Sequence, residues 1–218
     1  MKRRTFTQQL LGGAGFASIL SMPSFAQAQR LPAEGVEYKR LEPAQPVSAA
    51  GKIEVLEFFS YACPHCYEFE PLIQAWAAKL PADVVFRRVP VPFLMNAENF
   101  QRTYYALEAM GAVESIQAKI FAAVHVERQR LGKPEEIAAV VTKGGGDGAK
   151  FLQMFNSFSV TSKAGQGQRL AQAYRVEGVP MLVVQGRWVT SPVQAKGNVQ
   201  ALSVVDFLVQ KSRAANKG

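Results

Sequence analysis

The two cysteines of this 218-residue chain lie close together, with only two residues between them. They form the segment Cys63-Pro64-His65-Cys66. A disulfide across so short a loop constrains the unfolded chain very little, and a secreted protein that relied on disulfides for stability would pair distant cysteines. We therefore expect Cys63 and Cys66 to carry redox chemistry, as a disulfide that opens and closes.

Two other uses of a close cysteine pair are a purely structural disulfide and a metal site. The structural disulfide would add little stability at this spacing. Zinc needs four ligands, and the only histidines that could join the cysteines are His65 and the distant His125. We expect no metal ion and no cofactor. His125 lies in a helical segment and is predicted to be a packing or surface histidine.

The elements on either side of the pair determine its reactivity. Cys63 follows a predicted strand and begins a predicted helix, where free backbone N–H groups and a partial positive charge stabilise a thiolate. Such placement lowers a cysteine pKa from about 8.5 into roughly the 3.5–7.5 range. Pro64 suits the first helical turn because it has no N–H to satisfy. His65 adds a donor or a positive charge beside the sulfur, and Cys66 is predicted to be less exposed.

Hydrophobic patterning around the cysteines predicts a strand–helix–strand unit. Residues 53–59 are nearly all apolar, as in a strand buried on both faces, and Val84 to Val91 form the next strand. Between them, apolar residues recur at helical spacing until Pro81 ends the run. These residues are Phe69, Leu72, Ile73, Trp76 and Leu80.

The rest of the chain predicts a helical block followed by a return to sheet. Amphipathic helices fill the middle segment, and a β-hairpin with a Gln185-Gly186 turn and a last helix from Asn198 follow. The predicted fold class is α/β, a thioredoxin-like fold with an inserted all-helical domain. Its segments are 37–94 and 167–213 for the thioredoxin-like domain and 95–166 for the insertion.

Several segments together resemble the DsbA family of the thioredoxin superfamily. They are Val55-Leu56-Glu57-Phe58-Phe59-Ser60, Cys63-Pro64-His65-Cys66-Tyr67, Phe69-Glu70 and Val179-Pro180. The resemblance runs from about Gly51 to Lys211, with Pro71 as a departure, and implies a periplasmic dithiol oxidant. It also implies a cis peptide bond at Pro180, beside the cysteines, so that the backbone of Val179 pairs with a bound peptide.

Glu57 is the one acidic residue whose role the sequence leaves open. Alternation places it on the same strand face as Ile53, Val55 and Phe59, where a carboxylate is costly unless it is paired or protonated. The resemblance implies that an acid at this position relays protons to or from the buried cysteine. A glutamate that snorkels or is satisfied by water is the alternative. Glu70, one helical turn beyond Cys66, is a weaker candidate for the same role.

The N-terminal residues predict export. Residues 1–28 combine a basic start, a short apolar stretch and small residues at a cleavage site, which is the pattern of a signal peptide. Arg3-Arg4 is compatible with the twin-arginine route as well as the general secretory route. Removing this segment takes away Lys2, Arg3 and Arg4 and no acid, so the net charge falls from +8 to +5. We expect a periplasmic protein.

The predicted function is a thiol–disulfide oxidoreductase that introduces disulfides into exported proteins through Cys63 and Cys66. The resemblance implies reduced exported polypeptides as substrates and a DsbB-like, quinone-linked membrane oxidase as the partner that restores the disulfide. We expect a monomer that binds no nucleic acid, because the positive charges are scattered. A disulfide isomerase or reductase on the same fold, and a peptide-binding periplasmic chaperone, are the alternatives.

Overall fold

The computed structural model describes residues 30–215, and the predicted signal peptide lies outside them. The elements in chain order are β1 Lys39–Arg40, β2 Ile53–Phe59, α1 Pro64–Ala77, β3 Val84–Pro90, α2 Ala97–Ala109, α3 Val113–His125, α4 Pro134–Lys143, α5 Gly148–Phe155, α6 Phe158–Ala173, β4 Met181–Val184, β5 Trp188–Thr190 and α7 Asn198–Ala215. Within this part of the chain, no helix combines the length and apolar character needed to cross a bilayer.

The strands form one mixed sheet in the order β1-β5-β4-β2-β3. Strand β2 lies between β3 and β4 and runs parallel to β3 and antiparallel to β4, which confirms the predicted strand–helix–strand crossover. All seven residues of β2 are buried, as its nearly continuous apolar sequence predicts. The parallel register places Glu57 directly opposite Arg88 of β3.

Strand alternation divides the core into two layers on opposite faces of the sheet. On one face, Val55 of β2 packs with Phe69 and Ile73 of α1 and with Leu208 of α7. On the other face the strand residues pack against α6. This second layer contains Leu56, Phe58, Val89, Ala171, Tyr174 and Met181. The thioredoxin-like α/β fold is therefore confirmed.

The helices α2 to α5 form the predicted insertion between β3 and α6. Their apolar residues share a third core cluster with Phe59 at the end of β2, with Tyr61 and with both cysteines. The helical block thus forms part of the surroundings of the cysteine pair. The predicted boundary between the insertion and the second thioredoxin-like segment, at residue 166, falls inside α6, Phe158–Ala173. The limits of the predicted segments stay predictions.

Helix α1 differs from its predicted extent and core face. It ends at Ala77, three residues before Leu80, and Ala78 forms its C-cap. Leu72 was expected on the apolar face but is 37% exposed. Phe69 and Ile73, four residues apart, share the buried face of the helix, and Leu72 lies at the margin of that face. Trp76, another residue of the predicted apolar spacing, is half-buried, and its indole N–H donates to Asp206 at 2.8 Å.

The β4–β5 hairpin confirms the predicted turn. Gln185 and Gly186 both have positive φ, at 52° and 60°, which is the geometry of a type I′ turn. Gly186 lies so close to the carbonyl of Gln45 that a Cβ atom would collide with it. The hairpin brings the start of β4, and with it Val179 and Pro180, to the edge of the sheet where α1 begins.

Candidate active site

Cys63 is the N-cap residue of α1, and Pro64 occupies the first helical turn, as predicted. The backbone N–H of Cys66 donates to the Cys63 sulfur at 3.4 Å. Both cysteines are free thiols in the structure. Cys63 is 6% exposed and Cys66 is 1% exposed, so a reaction partner meets Cys63 first. The sequence-based order of exposure is confirmed.

The surroundings of Cys63 favour its thiolate. Its pKa is lowered from 9.0 to about 6, mainly because the Cys66 side chain donates a hydrogen bond to the sulfur. Burial opposes this, while the backbone N–H groups of Cys66 and His65 and the charge of His65 add to it. The Cys66 pKa is raised, first by burial and then by the neighbouring Cys63 and Glu57. Only Cys63 is therefore ionised near neutral pH.

The imidazole of His65 contributes less than its place between the cysteines suggests. Its side chain is 74% exposed and lies 3.4 Å from Glu68, also on the surface. The backbone N–H of His65 lowers the pKa of Cys63 more than the charge of its imidazole does. Water screens the charge of so exposed a side chain. His65 therefore acts on the sulfur chiefly through its position in the first turn of α1.

Behind the cysteines lies a buried charge cluster, which we define as Glu57, Tyr61, Glu70, Arg88 and Gln117. Arg88 Nε donates to Glu57 Oε2 at 2.8 Å, and its terminal nitrogen donates to both oxygens of Glu70 at 3.2 and 3.1 Å. Gln117 donates to Glu70 at 2.9 Å, and the Tyr61 hydroxyl donates to the Gln117 carbonyl at 3.4 Å. Glu57 is 1% exposed, which excludes the snorkelling alternative.

Burial shifts the titration of both carboxyl groups in this cluster. It raises the pKa of Glu57, and the charge and hydrogen bond of Arg88 only partly oppose it. The pKa of Glu70 is likewise raised by burial, to about 7, against the opposing charge of Arg88. Burial alone would lower the pKa of Arg88, but the two carboxylates raise it, so the guanidinium stays charged. The cluster can hold and release a proton near neutral pH.

Val179 and Pro180 lie against the cysteine pair, as the resemblance implied. The peptide bond between them is cis. The Cys63 thiol donates to the Val179 carbonyl at 3.4 Å. A groove of about 530 Å³ runs beside them, and His65 lies at its rim. Its lining also includes Met181, Thr190, Val193 and Gln194.

Sequence reasoning missed Arg88, Gln117 and the position of His125. Arg88 could have been found by aligning β2 with β3, because the parallel register puts it opposite Glu57. Gln117 has no recognisable sequence signal, because the sequence alone does not distinguish a buried glutamine on a helix from an exposed polar residue. His125 stacks on Tyr67 with ring centroids 5.1 Å apart, and its Nε2 lies 2.8 Å from the Tyr61 carbonyl. It is a packing histidine, one of the two predicted roles.

Comparison with known proteins identifies the family. The model of the DSBA-like thioredoxin domain matches residues 54–201. The chain belongs to this family. The thiol:disulfide interchange protein DsbA of Pseudomonas aeruginosa is 42% identical over 185 residues, covering 84% of this chain and 87% of the relative. The DsbA of Burkholderia cepacia is 40% identical over 203 residues, covering 93% and 94% of the two chains.

A solved structure agrees with the sequence relatives. The crystal structure of Pseudomonas aeruginosa DsbA superposes with a TM-score of 0.82 at 41% identity, covering 86% of this chain and 97% of that one. DsbA-family membership and the free, unequally acidic Cys63–Cys66 pair make the protein a thiol–disulfide oxidoreductase of the thioredoxin superfamily.

Proposed function

We propose that the protein oxidises reduced polypeptides in the periplasm, giving up its Cys63–Cys66 disulfide to them. The observation that carries this proposal is the position of Cys63 as the N-cap of α1, where the backbone N–H of Cys66 donates to its sulfur at 3.4 Å and its pKa is lowered. A stabilised thiolate is a good leaving group and favours the reduced enzyme, so it makes the disulfide more oxidising. The predicted signal peptide, residues 1–28, supports the location.

The reaction is two successive thiol–disulfide exchanges. A substrate thiolate attacks the Cys63 sulfur, the Cys63–Cys66 bond breaks, and its electron pair moves to Cys66. Because the Cys66 pKa is raised by burial, this sulfur takes up a proton, and we assign Glu57 as its donor. A second substrate thiolate then attacks the substrate sulfur and expels Cys63 as a thiolate. The substrate loses two electrons and the enzyme gains them.

We assign substrate binding to Val179 and Pro180. When Cys63 is protonated, its thiol donates to the Val179 carbonyl. A thiolate, or a sulfur in a mixed disulfide, has no hydrogen to donate, so the carbonyl is then free to accept a backbone N–H of the substrate. The adjoining groove supports this assignment because Val179, Pro180 and His65 all line it.

The partner that restores the disulfide is proposed to be a DsbB-like, quinone-linked membrane oxidase. Reoxidation removes two electrons from the dithiol, and these must pass to an acceptor outside the protein. We also propose that the protein works as a monomer, since Cys63, the groove and the buried charge cluster all lie on one chain.

A trapping experiment tests the assignment of the two cysteines. Cys66→Ser should accumulate mixed disulfides through Cys63 with an unfolded substrate that contains a disulfide: the Cys63 thiolate attacks this disulfide, one substrate thiolate leaves, and the thiol that would resolve the product is gone. Cys63→Ser is the matched control and should trap almost nothing, since Cys66 is buried. Equal trapping by both variants on non-reducing gels would contradict the proposal. A chaperone without redox activity would trap nothing with either variant.

A further inference from the structure

Glu57 and Glu70 share a single guanidinium inside the buried charge cluster. With both carboxyls ionised, Arg88 leaves one negative charge unbalanced among buried groups. Such a charge is costly in the interior, so one proton on the pair is favourable. Which carboxyl holds that proton matters, because Glu57 is close enough to Cys66 for its charge to raise the pKa of that thiol.

The two carboxyls are not equivalent in their hydrogen bonds. Glu70 accepts from Arg88 with both oxygens and accepts from the Gln117 amide at 2.9 Å. Among the described residues, the only side chain that donates a hydrogen bond to Glu57 is Arg88. Donors to a carboxylate favour its ionised form. The unequal number of donors therefore directs the negative charge to Glu70 and the proton to Glu57.

Tyr61 fixes the direction in which Gln117 donates. Its hydroxyl donates to the Gln117 carbonyl oxygen at 3.4 Å, which leaves the amide nitrogen facing Glu70. An amide nitrogen donates and does not accept, so Gln117 in this orientation stabilises the ionised form of Glu70 more than the neutral acid. Tyr61 and Gln117 are 0% and 1% exposed, and water does not compete for these contacts.

We propose that Gln117 is a positioning residue that keeps Glu70 ionised and so holds the shared proton on Glu57, beside Cys66. The inference deepens the proposed function and depends on it for its use. When substrate attacks Cys63, the Glu57 O–H gives its proton to the departing Cys66 sulfur, and the resulting carboxylate stays paired with Arg88. On reoxidation, Cys63 first forms a mixed disulfide with the oxidised partner; Cys66 then returns its proton to Glu57, and its thiolate attacks the Cys63 sulfur and expels the partner's thiolate.

Other ionisable groups around the carboxyls do not compete for this proton near neutral pH. The groups that face the pair are Arg88 from β3, Cys66 from α1, Tyr61 from the loop after β2 and Tyr104 from α2. Burial raises the pKa of Tyr61 and of Tyr104, so both phenols stay neutral. Arg88 stays charged and Cys66 stays a thiol. Within the buried charge cluster, the groups that can exchange this proton are thus Glu57 and Glu70, while Cys63 titrates outside the cluster.

The test is an NMR titration of the glutamate side-chain carbons in the full reduced protein, with Glu57→Gln and Glu70→Gln providing the assignments. In Gln117→Met, the Glu70 midpoint should rise and the Glu57 midpoint should fall, each by about one to two pH units. Gln101→Met is the matched control, because Gln101 is also buried but donates to the Pro90 carbonyl, at 2.9 Å. That variant should leave both midpoints unchanged.

Unchanged midpoints in Gln117→Met would overturn the proposal. If Gln117→Met does not fold, Tyr61→Phe replaces it, since this change removes only the hydroxyl that orients Gln117. The midpoints of Glu57 and Glu70 should then move in the same directions by a smaller amount. Unchanged midpoints in Tyr61→Phe would again refute the role of Gln117. The pH at which dithiol oxidation reaches half its maximal rate should shift with the Glu57 midpoint. A wild-type protein that oxidises no dithiol would refute the proposed function, while the carboxyl titration would still test Gln117.

Discussion

The reduced protein should gain stability relative to its oxidised form as the pH rises. The fold lowers the pKa of Cys63 from 9.0 to about 6. Since one unit corresponds to about 1.4 kcal/mol, the thiolate adds about 0.4 kcal/mol to the free energy of unfolding at about pH 6, about 1.4 at about pH 7 and about 2.7 at about pH 8. These are upper limits, because water reaches the rim of the sulfur.

The sign follows from the depressed pKa. The contribution of the thiolate is complete above the unfolded pKa of 9.0 and is lost as the pH falls through about 6. The disulfide opposes this effect, because closing so small a loop stabilises the oxidised form by about 2 kcal/mol. The two forms should therefore be equally stable near about pH 7.5, with the oxidised form more stable below and the reduced form above.

Denaturant unfolding of both forms at a series of pH values measures this difference. The gap between reduced and oxidised protein should change by about 2 kcal/mol between about pH 6 and about pH 8. Reduced Cys63→Ala serves as the control, because it lacks the thiolate and should lose this pH dependence. A gap of the same size at every pH would refute the reasoning, since it would mean that the fold does not acidify Cys63.

Three further perturbations test separate parts of the site and the core. Cys66→Ala should raise the pKa of Cys63, and Cys66→Ser should raise it less because the hydroxyl still donates; thiolate absorbance of Cys63 reports both. Arg88→Met should cost about 3–5 kcal/mol of stability near about pH 8 and less near about pH 5, where the unpaired carboxyls of Glu57 and Glu70 are protonated. Equal losses of stability at the two pH values in urea unfolding would contradict this. Phe121→Ala should cost about 3–5 kcal/mol, because this ring is 1% exposed, whereas Phe158→Ala, 88% exposed, should stay within about 0.5 kcal/mol in the same assay.

The sequence predicted the elements around the cysteines well because each has a local signal. The continuous apolar run of β2, the helical spacing of Phe69 and Ile73 and the glycine of the hairpin turn all act over a few residues. Leu72 shows the limit of such signals: an apolar residue near a helical period can still fall outside the buried face. The end of α1 was also predicted wrongly, because Leu80 continues the helical spacing of apolar residues although the helix ends at Ala77.

The chemistry of Cys63 was predictable, whereas the buried charge cluster was not. The low pKa of Cys63 depends on its position at the start of α1 and on its neighbour Cys66, and both follow from the short motif. The cluster joins residues from β2, α1, β3 and α3, and only the tertiary structure brings them together. For this reason the sequence could show that Glu57 is buried but could not name Arg88 as its partner.

The most direct test of the central claim is the equilibrium reduction potential of the Cys63–Cys66 pair, titrated against glutathione. The Cys63 thiolate offsets most of the roughly 2 kcal/mol loop constraint at about pH 7 and exceeds it above about pH 7.5, so the disulfide should be more oxidising than that of thiol reductants, with a potential above about −200 mV near neutral pH. A potential below about −250 mV, in the range of thiol reductants, would contradict the account, because such a protein would reduce disulfides instead of introducing them.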